Sequence, residues 1–394
     1  MKLLEDARHI FFKVLEEDGF FRKQEKEIDV REAIGRVTSR AVFARRNSPP
    51  FRSSAMDGVA VRADGIRAAR KDAPRRLERR LEFVYVDTGQ RVPEDFDSVV
   101  KIEDVAVIDE DTVEITEPVS TGKHVREAGE DFKAGELVLP QDFRITPVGI
   151  AASVNTGNLR VYVKRKLKCA YLPVGSELVP ADSELSADQV PESNSQIVKG
   201  FLTQWGGEVT VYPIVRNEIS VIKKTLGQIS REFDLIIVGA GTSKGREDMT
   251  SIVISELGQV LVHGVAYHPG HPILLGLIND RPAIGLPGYA VATWIGIMQF
   301  IRPVFEKYLK NPLSDDKTVL GVLTRDIKSV LNAREFVRVK LIQAESGYLV
   351  DPLPGGASRL SSLLQADGIV EVDENTAMLH HGEKVTVRLL RQLP

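Results

Sequence analysis

The sequence predicts a multidomain chain of α/β and β construction, and three observations carry the prediction. At 394 residues the chain exceeds what a single hydrophobic core supports, and it should split into about two to four domains. Between residues 167 and 309, short apolar runs alternate with stretches of helical period, the rhythm of an α/β domain with a mainly parallel sheet. On either side, residues 59–139 and 318–390 hold short strand-like runs separated by turn residues, which reads as β structure.

Taken in order, Leu3, Leu4, Ala7, Ile10, Phe11, Val14 and Leu15 recur at helical spacing. They predict an amphipathic helix over 3–16, with a second short one near 30–35, as packing or dimer surfaces. The proline-containing loop 47–58 passes into the alternating segment 59–62, and this change of period marks a domain entry. Strands are expected at 82–87, 99–105, 112–116 and 136–139. The Lys- and Arg-rich run 67–80 could be a nucleic-acid patch, but no aromatic residue interleaves with its charges, so a solvated insertion is the better reading. A helix at 147–155 leads into the α/β stretch. There, strands at 167–172, 208–214, 234–238, 260–265 and 282–286 alternate with helices at 193–205, 218–229, 247–257 and 289–309. After Asn311-Pro312, strands at 318–324, 335–342, 369–372 and 384–390 predict a small β-barrel or sandwich.

Composition narrows the function classes. A formal charge of −3 with both signs abundant argues against a general nucleic-acid binder, which needs excess Lys and Arg to neutralise phosphates. The single cysteine, Cys169, has no disulfide partner, so a reducing, intracellular compartment is expected. The N-terminal stretch lacks a signal-peptide core, and no apolar run approaches membrane-spanning length. A cytoplasmic globular protein is the expectation.

Residues 234–248 read Asp-Leu-Ile-Ile-Val-Gly-Ala-Gly-Thr-Ser-Lys-Gly-Arg-Glu-Asp. Gly239 and Gly241 let the backbone approach a ligand closely, and the helix after Gly245 turns its free amides toward the same place. Thr242 and Ser243 add hydroxyls, Lys244 adds a point charge, and Asp248 is placed to hold a metal ion or a proton. This is an anion cradle or else a plain strand-to-helix turn. The glycine spacing misses the dinucleotide fingerprint by one position, and a P-loop needs Gly-Lys-Ser/Thr where this chain has Ser243-Lys244-Gly245.

Four loops set carboxylates beside glycines: Asp57-Gly58, Gly129-Glu-Asp131, Gly175-Ser-Glu177 and Gly245-Arg-Glu-Asp248. Such loops suit Mg²⁺, which takes one or two carboxylates plus water and substrate oxygens; equally, acids beside glycine simply build turns. The seven histidines form no zinc pattern,. His268 and His271 bracket the Pro269-Gly270 turn, either as binding groups or as incidental loop residues. The turn Gly285-Leu-Pro287-Gly288 precedes the last α/β helix and offers a second set of free amides. No Ser-His-acid arrangement suggests a hydrolase, and Gly175-Ser176 lacks the nucleophile-elbow spacing.

In order along nearly the whole chain stand Ser54-Ala-Met-Asp-Gly58, Thr88-Gly-Gln-Arg-Val-Pro-Glu94, Arg126-Glu-Ala-Gly-Glu-Asp131, Val174-Gly-Ser-Glu-Leu178, Glu192-Ser-Asn-Ser195, Gly241-Thr-Ser-Lys-Gly-Arg-Glu-Asp248, His263-Gly-Val-Ala266 with Pro269-Gly270, Gly285-Leu-Pro-Gly288 and Ala366-Asp-Gly368. This series resembles the molybdopterin molybdotransferases, the last enzymes of molybdenum-cofactor assembly, related to the E domain of gephyrin. The resemblance implies an elongated four-domain homodimer. Its domains would be 1–45 plus 143–166 (helical, linking, dimerising), 46–142 (β-rich lid), 167–311 (α/β, molybdopterin-binding) and 312–394 (small β-barrel). The partner's second domain would close over the active site with the Ser-Ala-Met-Asp-Gly loop.

The implied reaction takes adenylylated molybdopterin and molybdate or tungstate, uses Mg²⁺, releases AMP and leaves the metal on the dithiolene. Position by position, Asp57, Asp131, Glu177 and Asp248 match the family's functional acids, with Asp57, Glu177 and Asp248 as metal ligands. Thr88, Ser193, Asn194, Gly239, Gly241, Thr242, Ser243, Gly245, His268, His271, Pro287 and Gly288 are the expected substrate-binding positions. The chain departs from the family pattern at His268-Pro-Gly-His-Pro272, where lysines are usual, at Val174-Gly-Ser-Glu177 and at Ala240. Rival readings are a pterin- or oxyanion-binding module without transfer, and a scaffold that holds partners through its last domain.

Overall fold

The computed structural model describes residues 1–394 except 23, 240–248, 314–316, 346 and 393–394. They form two compact units, Glu25–Lys164 and Met1–Gln24 with Arg165–Pro394. Helix α1 (Leu4–Glu17) opens the larger unit and buries Leu4, Ala7, Phe11 and Leu15, the stripe its spacing predicts,.

The smaller unit is mostly β structure. Its longer strands are β1 (Glu25–Asp29), β2 (Gly58–Val61), β3 (Arg75–Glu78), β4 (Phe83–Val86), β5 (Ser98–Lys101), β6 (Val105–Val107), β7 (Thr112–Ile115) and β8 (Arg160–Lys164), with helix α2 (Pro147–Asn155) before the last. β2 lies antiparallel between β4 and β5, and β7 between β3 and β6. Val59 and Val61 face a core with Leu77, Val113 and Ile115, while Ala60 faces Val86 and Val99, so β2 is buried on both sides. Two expectations are corrected here. The basic run 67–80 is not simply a solvated insertion: Leu77 anchors it as an edge strand with one buried side chain among exposed charges,. The strand expected at 99–105 breaks at Ile102, whose N–H donates to the Asp57 carbonyl at 2.9 Å.

The larger unit contains β9 (Lys168–Pro173), α3 (Asn194–Gln204), β10 (Glu208–Val211), α4 (Ile219–Glu232), β11 (Leu235–Gly239), α5 (Met249–Leu257), β12 (Gly258–His263), β13 (Leu274–Ile278), β14 (Arg281–Leu286), α6 (Ala290–Gly296) and α7 (Arg302–Leu309). The sheet order is β10–β9–β11–β14–β13–β12. The first four strands are parallel, and β13 and β12 extend them antiparallel. β13 is an addition to the expected strands: Ile273-Leu-Leu-Gly-Leu-Ile278 is apolar throughout and the strand is buried on both faces,. Its hairpin partner follows directly, through Asn279 and Asp280, both at positive φ (47° and 61°), as a two-residue turn requires.

Alternation along the central strands sorts the helices into two layers. Cys169, Tyr171, Leu235 and Ile237 face α1, α3, α6 and α7, whereas Ala170, Leu172, Ile236 and Val238 face α4 and α5. The single helix expected at 289–309 carries a wider turn at Ile297–Ile301 between α6 and α7. Pro303 supplies no N–H to the turn before it, and the Gln299 carbonyl accepts from Arg8 Nε at 3.2 Å instead.

The C-terminal strands β15 (Thr318–Leu323), β16 (Arg334–Ala344), β17 (Gly347–Pro352), β18 (Gly368–Val372) and β19 (Lys384–Leu389), with helix α8 (Leu360–Gln365), form a closed small barrel. The ring runs β16–β17–β15–β19–β18 and back to β16, which removes the edges a small open sheet would expose. Among the described residues no helix is long and apolar enough to cross a membrane.

Candidate functional site

The parallel sheet places a crevice at one predictable point. From β9 the chain leaves through α3 in one layer to reach β10, whereas β11 leaves toward α5 in the other layer. The connections therefore diverge between β9 and β11, and ligands of open α/β sheets bind beyond the carboxyl ends of strands at such a point. A cavity of about 610 Å³ lies there.

Six of the expected residues line this cavity: Glu177, Ser193, Asn194, Gly239, Pro287 and Gly288. Gly239 ends β11 and has no room for a side chain, because a Cβ would lie 2.0 Å from the Tyr171 hydroxyl. Its carbonyl accepts from Val174 N at 2.9 Å, which fixes the loop carrying the exposed Glu177. Ser193 immediately precedes α3. Asn194 Nδ2 donates to the Gly288 carbonyl at 2.7 Å, tying the start of α3 to the turn before α6. The Pro287 carbonyl is held by Thr293 Oγ1 at 2.6 Å. Gly241, Thr242, Ser243, Gly245 and Asp248 lie outside the described residues, although the strand that leads into them ends in the cavity wall.

His268 and His271 flank the Pro269-Gly270 turn with ring centroids 5.3 Å apart. Pro272 lines the cavity, but neither imidazole is among its lining residues. Burial lowers the pKa of His268 below the ordinary imidazole value, which favours its neutral form near neutral pH.

The smaller unit carries the other three positions. Asp57, just before β2, is exposed, and its Oδ1 accepts from Thr88 N at 2.6 Å and Thr88 Oγ1 at 2.8 Å. Those two bonds, the backbone one foremost, hold its carboxyl below the usual carboxylate range,. Asp131 stands on a separate exposed loop, its N–H on the Ser48 carbonyl at 3.0 Å, and it makes no hydrogen bond to Asp57 or Thr88. Among the described residues no three His, Cys, Asp or Glu side chains form a metal-binding group. Among the described residues two carboxylates line the cavity, the exposed Glu177 and the buried Glu192, whose Oε1 is already bonded. This fits Mg²⁺, which takes few protein ligands and fills the rest with water and phosphate oxygens.

Two wall residues were not among the expected site positions. Tyr171 and Glu192 are both buried, and Glu192 Oε1 accepts from Ser195 N at 2.9 Å and from the Tyr171 hydroxyl at 3.5 Å. Glu192 stands in the quoted Glu192-Ser-Asn-Ser195 run, one residue before the predicted helix start, and that place was the available signal.

The comparisons with known proteins agree along the chain. Family profiles described as the MoeA N-terminal region (domain I and II), a probable molybdopterin binding domain and the MoeA C-terminal region (domain IV) match residues 3–157, 170–307 and 321–390. A molybdopterin biosynthesis protein of Methanocaldococcus jannaschii is 31% identical, covering 98% of both chains. The molybdopterin molybdenumtransferase of Haemophilus influenzae is 26% identical over 95% of this chain and 96% of its own length. The crystal structure of a molybdopterin biosynthesis MoeA protein from Pyrococcus horikosii matches with a TM-score of 0.81 at 28% identity, covering 97% of this chain and 99% of that one.

Proposed function

This chain belongs to the MoeA family of molybdopterin molybdenumtransferases, and from that premise we propose that it inserts molybdate or tungstate into adenylylated molybdopterin with release of AMP. The observation that carries the reading is the cavity between β9 and β11, which gathers Glu177, Asn194, Gly239 and Gly288 at the sheet's switch point,. Gly239, packed on the Tyr171 hydroxyl where a Cβ would stand, brings the strand end into the cavity wall. Asn194, held on the Gly288 carbonyl, keeps the two loops at a fixed separation, so the substrate meets a preformed wall.

Glu177 holds Mg²⁺ in this reading, with Asp248 as a second ligand and Asp57 as a third. When bound, Mg²⁺ supplies positive charge to the pyrophosphate that joins AMP to the pterin. His268 and His271 donate N–H groups to the oxyanion, and burial keeps His268 a neutral donor,. Asp57, held ionised by Thr88, comes from the Ser54–Gly58 loop of a second subunit, which makes the working form a homodimer with a shared site. Asp131 takes part from the same second subunit.

The test is nucleotide release. Purified protein given adenylylated molybdopterin, Mg²⁺ and either oxyanion should liberate AMP, and Glu177→Ala and Asp248→Ala should abolish that release while remaining folded. A protein that binds the pterin tightly yet releases no AMP with either oxyanion would instead be a binding module.

A further inference from the structure

Glu192 is 9% exposed, sits in the wall of the candidate cavity, and carries one carboxylate oxygen to which none of the described residues donates. Its Oε1 is occupied twice, by Ser195 N–H and by the Tyr171 hydroxyl. Its Oε2 takes no hydrogen bond among the described residues, and it is not sealed from solvent like the enclosed, unpartnered polar atoms elsewhere in the chain. A side chain this buried almost always satisfies its oxygens, because an unmet acceptor in a low-dielectric wall is expensive. An acceptor left open on a cavity is satisfied by what enters the cavity.

The surroundings define what that is. Leu178, Val190, Pro191 and Pro287 line the same space and give its wall an apolar part, on which a ring system can pack,. The carboxylate is immobilised from behind, since Oε1 is bonded to the first turn of α3 and to Tyr171, whose hydroxyl is packed directly beneath Gly239. An acceptor-only group fixed at the edge of an apolar slot selects heterocycles that present N–H donors along one edge.

We infer that Glu192 is the specificity residue for the pterin ring, its Oε2 accepting from the amino and ring N–H donors of the 2-amino-4-oxopyrimidine edge. The inference rests on the molybdopterin reading above and adds the group that distinguishes this ring from other planar heterocycles. The remaining donors of that edge are left to water or to the open side of the cavity.

Glu192→Gln is the discriminating variant. Its amide oxygen can keep the bonds to Ser195 and Tyr171, and its NH₂ then replaces Oε2 with a donor facing the ligand's donors. Equilibrium binding of molybdopterin to the full chain should weaken by about tenfold or more, the scale of one charge-assisted hydrogen bond lost, with the thermal midpoint unchanged. In competition against bound molybdopterin, wild-type protein should favour pterin over 4-oxopteridine, which lacks the amino group. Glu192→Gln should lose that preference.

Equal binding by wild type and variant, or no preference in the wild type, would overturn the inference. The wild-type competition decides the matter even where the variant does not fold. Molybdopterin binding with the preference intact but no AMP release would refute the transfer reading and leave this inference standing. Absence of any molybdopterin binding would refute both.

Discussion

Asp57 and Thr88 show how two exposed residues become one unit. The Thr88 N–H and hydroxyl both bond Asp57 Oδ1, which lowers the carboxyl pKa below its ordinary 3.8. Because the folded value lies below the unfolded one, the stabilisation is present above the unfolded pKa and is lost as pH falls through the folded pKa. Thr88→Val keeps the backbone bond and removes the other, so the Asp57 titration midpoint, read by carboxyl NMR, should move part of the way back toward 3.8; an unmoved midpoint would show that the hydroxyl contributes nothing. Gly239 makes a second residue-scale prediction. A Cβ there meets the Tyr171 hydroxyl at 2.0 Å, so Gly239→Ala should destabilise by about 1–3 kcal/mol in urea unfolding, the usual range for overpacking, and should weaken substrate binding as well. The acids Asp57 and Glu177 were legible as motif residues. Tyr171 was not, because its place beneath Gly239 follows from the parallel register that pairs Tyr171 with Ile237 and Pro173 with Gly239, which no local pattern shows.

Among the elements, helices with one apolar face were legible, and so were β9, β11 and β14 although they are buried on both faces; β13 was not. α1 and α4 show their stripes directly, with Ile222, Leu226 and Ile229 buried along α4. β13 is apolar at every position, as β11 is, and its turn was a further signal: Asn279-Asp280 is a pair that accepts positive φ, and both residues adopt it,. Asp280→Gly should raise stability by up to about 1 kcal/mol by relieving the left-handed conformation, and Asp280→Val should lower it by about 1–2 kcal/mol. Urea midpoints measure both, and turnover should be unchanged because this hairpin lies at the opposite ends of the strands from the cavity. The wider turn at Ile297–Ile301 was foreshadowed by Pro303, but its partner Arg8 is far away in sequence and becomes visible only in the fold. Arg8→Ala should cost about 1–3 kcal/mol, because it leaves the Gln299 carbonyl without its charged donor.

At the scale of the whole molecule, the order of motifs along the chain identified the family before any geometry, and the closed C-terminal barrel and central α/β sheet followed that expectation. The expected site residues divide between the two units: Asp57, Thr88 and Asp131 in one, and Glu177, Asn194 and Gly239 in the other. A homodimer that shares its active site makes a distinctive prediction from that division. Asp57→Ala and Glu177→Ala should each be inactive alone, yet mixed and reassociated subunits should regain part of the activity, because some sites then combine two intact halves. No recovery from a mixture shown to exchange subunits would place each site within one chain.

The most direct measurement is the stoichiometry of a single turnover, with AMP release and metal bound to the pterin dithiolene followed in one sample containing adenylylated molybdopterin, Mg²⁺ and molybdate. Metal-inserting transfer predicts that AMP and metallated pterin appear together in equal amounts, and that both vanish in Glu177→Ala. AMP released without metal insertion, or pterin retained without AMP release, would contradict it.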